Sequence, residues 1–280
     1  MTMKKVLGII CSPRKGGNCE IMVKKISRQV PESHELQLLR LQDFNILPCK
    51  GCYRCLEKEK KCVLNDDLPI VIQAMVEANA LVVAAPTYCL SANASLKRLL
   101  DRLFPFFAHI EALWGKPAVG IGIAGIEGNE GHTLLDIQTF LRFFMTEIKE
   151  CRIVYGALPG EVFLDEVNKK VAEDLGAALF GPPSSKKAPV CPVCGGDTFR
   201  FFDNNQVRCM LCSNSGTMRM EGDIPVFEIT DGDHALFLTK KTVIEHRDWL
   251  IGMKARFFEL KSRLKQISRS HGGDDNWITP

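Results

Sequence analysis

The chain has 280 residues, 46% hydrophobic and 25% charged, with a formal net charge of +3. That is enough for one large or two ordinary domains of globular make-up, and too little excess charge to imply nucleic acid. The apolar run in MTMKKVLGII stops at Ser12-Pro13, and no segment reaches the roughly 18 apolar residues of a membrane span, so a cytoplasmic protein is expected.

Residues 1–180 alternate strand-like and helix-like stretches. Strands are predicted at 5–10, 34–41, 80–86, 118–125 and 151–158, and helices at about 18–30, 66–78, 92–107, 132–149 and 164–179. This alternation predicts an α/β, doubly wound parallel sheet covered on both faces. The run ALVVAAP (80–86) is apolar throughout, as a central strand buried on both faces should be.

The first strand runs into CSPRKGGNCE (11–20) and then a helix. A glycine-containing loop at a helix N-terminus suits an anion, because N–H groups and the helix dipole both favour it. Ser12, Arg14 and Asn18 add hydroxyl, cationic and amide donors. The loop is neither G-x-G-x-x-G nor a G-K-[ST] P-loop, which leaves a terminal monophosphate such as that of FMN, or an ordinary polar turn. After strand 3 comes PTYCLSANASLKRLLDR (86–102), with Tyr88 available to stack or simply to pack; after strand 4 comes AGIEGNEGH (124–132). Both belong to the carboxyl edge, where open α/β sheets bind ligands.

Between strands 2 and 3, PCKGCYRCLEKEKKC (48–62) carries Cys49, Cys52, Cys55 and Cys62 as C-x2-C-x2-C-x6-C. Twelve cysteines in a reducing compartment point to metal or redox chemistry rather than disulfides. Four thiolates with three so compactly spaced suit a [4Fe–4S] cluster. A reactive or vestigial thiol loop and a zinc site remain as alternatives. Lys50, Arg54, Lys58, Lys60 and Lys61 either offset an anionic cluster or form a solvated face.

Residues 181–190, with three prolines, two serines and two lysines, read as a linker. Cys191, Cys194, Cys209 and Cys212 then form C-x2-C-x14-C-x2-C within a metal-ribbon module spanning 191–230. Two C-x2-C arms are a strong tetrahedral metal signal. Zinc would make a closed, structural site here, whereas a single iron in the same four thiolates would be redox-active. An amphipathic helix is predicted within 231–270, where Leu250, Met253, Phe257, Leu260, Leu264 and Ile267 make one apolar stripe beside a basic face. The tail 271–280 is expected to be loosely ordered. The six histidines form no metal-hydrolase motif, and no G-x-S-x-G elbow is present.

CSPRKGGNCE, PTYCLSANASLKRLLDR, YGALPGEV and the cysteine-rich insert together resemble the NAD(P)H-dependent FMN reductase group of flavodoxin-like proteins. The insert followed by NDD (65–67) resembles the iron-sulfur flavoproteins of anaerobic microbes. The four-cysteine module resembles zinc ribbons and short rubredoxin-like modules alike. The resemblance covers about residues 4–180. It implies a five-stranded sheet of order 2-1-3-4-5 and FMN held by Ser12, Arg14, Asn18 and Cys19 at the phosphate, although the family usually carries Thr or Ser where Cys19 stands. At the ring it implies Pro86, Thr87, Tyr88 and Ser91, with Ala124 and Gly125 on the other side. It also implies a cluster close to FMN.

The expected function is electron transfer through FMN coupled to an iron-sulfur cluster, with no side chain needed as acid or base. One alternative is an NAD(P)H-dependent FMN or quinone reductase without a cluster, and another is a redox-responsive binding protein that uses the ribbon. NAD(P)H or a ferredoxin-type protein is the expected electron source. A homo-oligomer, dimer or tetramer, is expected, with no nucleic acid and no membrane as partner.

Overall fold

The computed structural model describes residues 3–57, 61–182, 189–233, 235–272 and 278. Lys58, Lys60, most of the linker, His234 and most of the tail predicted above lie outside the described residues.

The first part of the chain alternates β1 (Lys4–Ile10), α1 (Asn18–Arg28), β2 (His34–Arg40), α2 (Leu68–Glu77) and β3 (Ala80–Tyr88). It continues with β4 (Ser91–Ala92), α3 (Ala94–Leu100), α4 (Ile110–Leu113), β5 (Lys116–Ala124), α5 (Thr133–Phe143), β6 (Thr146–Tyr155) and α6 (Glu166–Ala178). The parallel sheet runs β2-β1-β3-β5-β6, and β4 is a two-residue antiparallel return on β3. With β4 set aside, this is the expected 2-1-3-4-5 order.

Pleating sends alternate residues of β3 to opposite faces. Ala80, Val82 and Ala84 meet α1 and α6 residues such as Met22, Ile26 and Leu175. Leu81, Val83 and Ala85 meet the other layer, including Met75, Leu96 and Phe140. Both layers leave the carboxyl ends of β1, β3, β5 and β6 free for loops.

Two elements differ from expectation. The helix predicted over 92–107 stops at Leu100 and resumes as a 3-10 segment, Phe104–His109. Pro105 lacks the N–H that would continue the α-helix. The helix predicted to 149 ends at Phe143, and β6 begins at Thr146 rather than 151. Met145, at φ 63, turns the chain, and its carbonyl accepts the Gly115 N–H at 2.9 Å.

The module beyond the linker is a four-stranded antiparallel sheet, β10-β9-β8-β7. Its strands are β7 (Phe199–Phe201), β8 (Gln206–Cys209), β9 (Ser215–Glu221) and β10 (Ile224–Ile229). It packs on Leu135 of α5 and on Leu238. Arg142 also donates to the Cys194 carbonyl at 3.2 Å. Last comes α7 (Lys240–Ser270), started by a capping box between Thr239 and Thr242. Val243 and Leu250 anchor it in the core, behind Phe237, whose ring lies 4.6 Å from Phe143 and 5.9 Å from Phe107. No helix among the described residues is long and apolar enough to cross a membrane.

Candidate cofactor and metal sites

A cleft of about 200 Å³ opens at the carboxyl edge of the sheet. The β1–α1 loop contributes Ser12, Arg14, Gly17, Asn18 and Cys19; β3 contributes Pro86, Thr87 and Tyr88; the segment after β5 contributes Gly125. Eight of the ten predicted cofactor residues therefore converge here. Gly156, Ala157 and Pro159, after β6, complete the wall.

The loop is built to present backbone. Helix α1 starts after Gly17 with no side-chain cap, so its first-turn N–H groups stay available at the cleft. Ser12 Oγ accepts the Arg14 N–H at 3.2 Å, and the Arg14 guanidinium reaches the Ala157 carbonyl at 3.5 Å. Glu20 ties the loop down from behind. It accepts from Lys24 at 2.6 Å, Arg40 at 2.5 Å and the Gly16 N–H at 2.9 Å. Hydrogen bonds from Lys24 and Gly16 lead in lowering its carboxyl to about 2. The Asn18 side chain is committed to the β6–α6 loop: its amide donates to Gly156 O at 2.9 Å and Leu158 O at 3.0 Å, and its oxygen accepts Gly160 N–H at 2.8 Å. Burial pushes the Cys19 thiol up to about 12, so it stays neutral at ordinary pH. Uncapped N–H groups, a hydroxyl and a guanidinium form a donor set for a phosphate monoester. The remaining wall of Pro86, Tyr88 and Gly125 suits a flat ring.

Ser91 and Ala124 are not in the cleft. Ser91 Oγ donates to Asp136 at 2.7 Å, and the buried Ala124 serves through its carbonyl, which accepts the Gly156 N–H at 2.8 Å. Ser91 closes a hairpin whose two turn residues, Cys89 (φ 51) and Leu90 (φ 65), are both left-handed. Gly131 lies against that turn: a Cβ there would stand 2.1 Å from the Leu90 carbonyl oxygen. Gly131→Ala is therefore expected to cost about 2–3 kcal/mol, by overlap and by its own left-handed backbone. A lowered urea midpoint would show it, and an unchanged midpoint would contradict it.

Cys49, Cys52, Cys55 and Cys62 line a second cavity, walled by Tyr53, Arg102, Phe104 and Pro105. A buried ion pair closes the neck of this loop. The Arg102 and Asp66 side chains are each 1% exposed and paired. Arg102 also donates to Leu47 O at 2.5 Å and to Cys62 Sγ at 3.3 Å. Asp66 accepts the N–H of Leu47 at 2.9 Å and of Leu68 at 3.2 Å. One pair thus pins the chain before Cys49 and the last cysteine together. Burial pushes the Asp66 carboxyl up, but Arg102 and the two N–H donors hold it below its ordinary value.

In the ribbon, Cys191 and Cys212 sulfurs are 3.8 Å apart, and those of Cys194 and Cys209 are 3.5 Å apart. A tetrahedral ion with metal–sulfur bonds near 2.3 Å requires about 3.8 Å. Each knuckle folds back the same way: Gly195 N–H donates to Cys191 O at 2.8 Å and Ser213 N–H to Cys209 O at 2.9 Å. Ser213, at φ 61, takes the left-handed turn that Gly195 takes in the first knuckle. The Cys212 sulfur, hydrogen-bonded by Cys194 and Cys209, is held well below the ordinary thiol range. Among the described residues this is the set of candidate ligands whose atoms all lie within 4.8 Å of one another. The four loop cysteines line one cavity but do not form so tight a set among the described residues. The ribbon sits beside the first half of β6, where Cys194 and residues 146–151 line one cavity of about 530 Å³. The first cleft lies past the last residue of that strand.

A parallel sheet of order 2-1-3-4-5, with a loop of uncapped N–H groups after its first strand, defines a flavodoxin-like protein. The family described as NADPH-dependent FMN reductase matches residues 4–155, and the chain belongs to that family; it is a flavin-dependent oxidoreductase. It is 30% identical over 184 residues to an iron-sulfur flavoprotein of Methanocaldococcus jannaschii, covering 61% of this chain and 93% of the relative. It is 28% identical over 183 residues to an iron-sulfur flavoprotein of Archaeoglobus fulgidus, covering 65% and 81%. A solved structure described as flavone reductase superposes over 99% of both chains with a TM-score of 0.76 at 18% identity. That likeness shows a shared fold, through the ribbon and the last helix.

Proposed function

We propose that the chain passes electrons between FMN in the β1–β3–β5–β6 cleft and a [4Fe–4S] cluster on Cys49, Cys52, Cys55 and Cys62, while Cys191, Cys194, Cys209 and Cys212 hold structural zinc. FMN supplies two-electron chemistry and the cluster one-electron chemistry; the protein supplies placement and electrostatics. Four cysteines lining one walled cavity, with a buried guanidinium donating to the last of them, carry this reading.

At the phosphate, the Ser12 hydroxyl, the Arg14 guanidinium and the first N–H groups of α1 act as donors. Cys19 adds a neutral thiol where a hydroxyl is usual, a weaker donor without extra charge. Asn18 works indirectly, fixing the 156–160 loop against the cleft. Pro86–Tyr88, Gly125 and Gly156–Pro159 line the ring side, and no titratable side chain is required for proton transfer. Arg102 orients Cys62 and offsets thiolate charge. Zinc is favoured in the ribbon because the site lies beside the first half of β6, strand residues away from the cleft at about 3.3 Å each. NAD(P)H or a ferredoxin-type donor supplies the electrons. Cysteines grouped at metal-site spacing fit the reducing cytoplasm.

Cys52→Ser separates this reading from a clusterless reductase. It is expected to lose most acid-labile sulfide from anaerobically prepared protein while FMN stays bound. Wild-type protein that holds FMN but no sulfide would favour the clusterless alternative.

A further inference from the structure

The cavity of about 530 Å³ beside the ribbon lies between α5, the first half of β6 and the ribbon itself. It shares no lining residue with the first cleft or with the cavity of the cysteine loop. Trp114, Met145, Leu211, Phe237 and Leu238 give it apolar walls. Two polar side chains of α5, Gln138 and Arg142, also line it. Four residues apart, they stand side by side on one face of the helix.

Neither is fully hydrogen-bonded. Gln138 is 2% exposed, and its Oε1 has no hydrogen-bond partner. The Arg142 Nε is buried without a partner as well, although the guanidinium donates another N–H to the Cys194 carbonyl. Buried polar groups are nearly always paired in folded proteins, so two orphans on one wall call for an occupant. Charge points the same way. Glu147 pairs with Lys149 at 2.8 Å and Glu150 pairs with Arg152, whereas Arg142 makes no ion pair among the described residues. Water fills such a space poorly. The volume is many times the roughly 30 Å³ share of one water, and the apolar walls offer it no hydrogen bond. It also falls within the roughly 300–1,000 Å³ of small-molecule sites.

We infer that this cavity binds a small aromatic carboxylate with a hydroxyl beside the acid group. The carboxylate accepts from Arg142, the hydroxyl donates to the Gln138 side-chain oxygen, and the ring packs among Trp114, Leu211 and Phe237. Leu211 and Cys194 belong to the ribbon, and Gln138 and Arg142 to α5, so the ligand bridges the two parts of the chain.

Titration calorimetry tests this on the full chain loaded with FMN and its metals, with phenyllactate as the probe. One phenyllactate is expected to bind per chain without altering the flavin absorbance. Phenyllactamide lacks the charge and hydrocinnamate lacks the hydroxyl; each is expected to bind about tenfold more weakly. Gln138→Leu is expected to weaken phenyllactate binding about tenfold as well. Its melting temperature is expected to equal or exceed that of wild type, because the change removes an orphaned amide. Four results would each overturn the inference. They are no saturable binding of phenyllactate, which would leave ordered water as the occupant; analogues that bind as tightly as the probe; binding that shifts the flavin spectrum or ignores Gln138→Leu; and a Gln138→Leu protein that melts below wild type, which would give the amide a structural role instead.

Discussion

Arg102→Leu is expected to destabilise the chain by about 3–5 kcal/mol, because it leaves the buried Asp66 carboxylate without its cation. The same change frees both ends of the cysteine loop, since Leu47 and Cys62 are held through this pair. Iron and sulfide are expected to fall with it. Asp66→Leu combined with Arg102→Leu should cost less than the single change, since neither charge is then left alone. The pair also predicts a pH dependence. The Asp66 carboxyl is held below its ordinary value in the folded state, so its stabilisation is present above about pH 4 and fades as the pH falls through the folded value. The stability gap between wild type and Arg102→Leu should therefore narrow on acidification. Urea titrations at pH 7 and pH 3 read this directly. A gap that widens in acid, or a single variant no weaker than the double, would contradict the role of the pair.

Cys209→Ala is expected to unfold the ribbon and leave the flavin domain standing. The buried apolar set of the ribbon is six residues, three of them metal-site cysteines: Cys191, Val207, Cys209, Leu211, Cys212 and Ile229. So small a core does not offset its chain entropy, whereas a structural Zn²⁺ contributes on the order of 10 kcal/mol of coupled folding free energy. Loss of one thiolate should release the metal and open residues 191–229 to protease, while FMN stays bound. A protease-resistant ribbon without metal would contradict this.

The buried elements were legible because their residues face a core on both sides. Strands β1, β3 and β5 are near-continuous apolar runs, and the paired C-x2-C arms announce their geometry in the spacing. Edge strand β6 was set too late, because TEIKEC is half-exposed and its Phe-Met-Ile neighbours mimic a helical stripe. The clamp at Arg102 was missed because its partners lie 36 to 55 residues away, and nothing local in LLDRLFPFF marks a buried guanidinium. Gly156, Ala157 and Pro159 were read as a motif but not as cleft wall, since Asn18, over a hundred residues earlier, folds that loop inward. The left-handed Cys89-Leu90 turn carries none of the Asn-Gly signal that usually announces such a hairpin. Ser213 hides a knuckle turn in the same way.

The coupling of flavin to an iron-sulfur cluster stands or falls on composition. Protein purified without oxygen, with FMN, iron, acid-labile sulfide and zinc counted per chain, tests it most directly. About four iron, four sulfide and one zinc per FMN is the predicted result. FMN and zinc in equal amounts, with no sulfide, would contradict it.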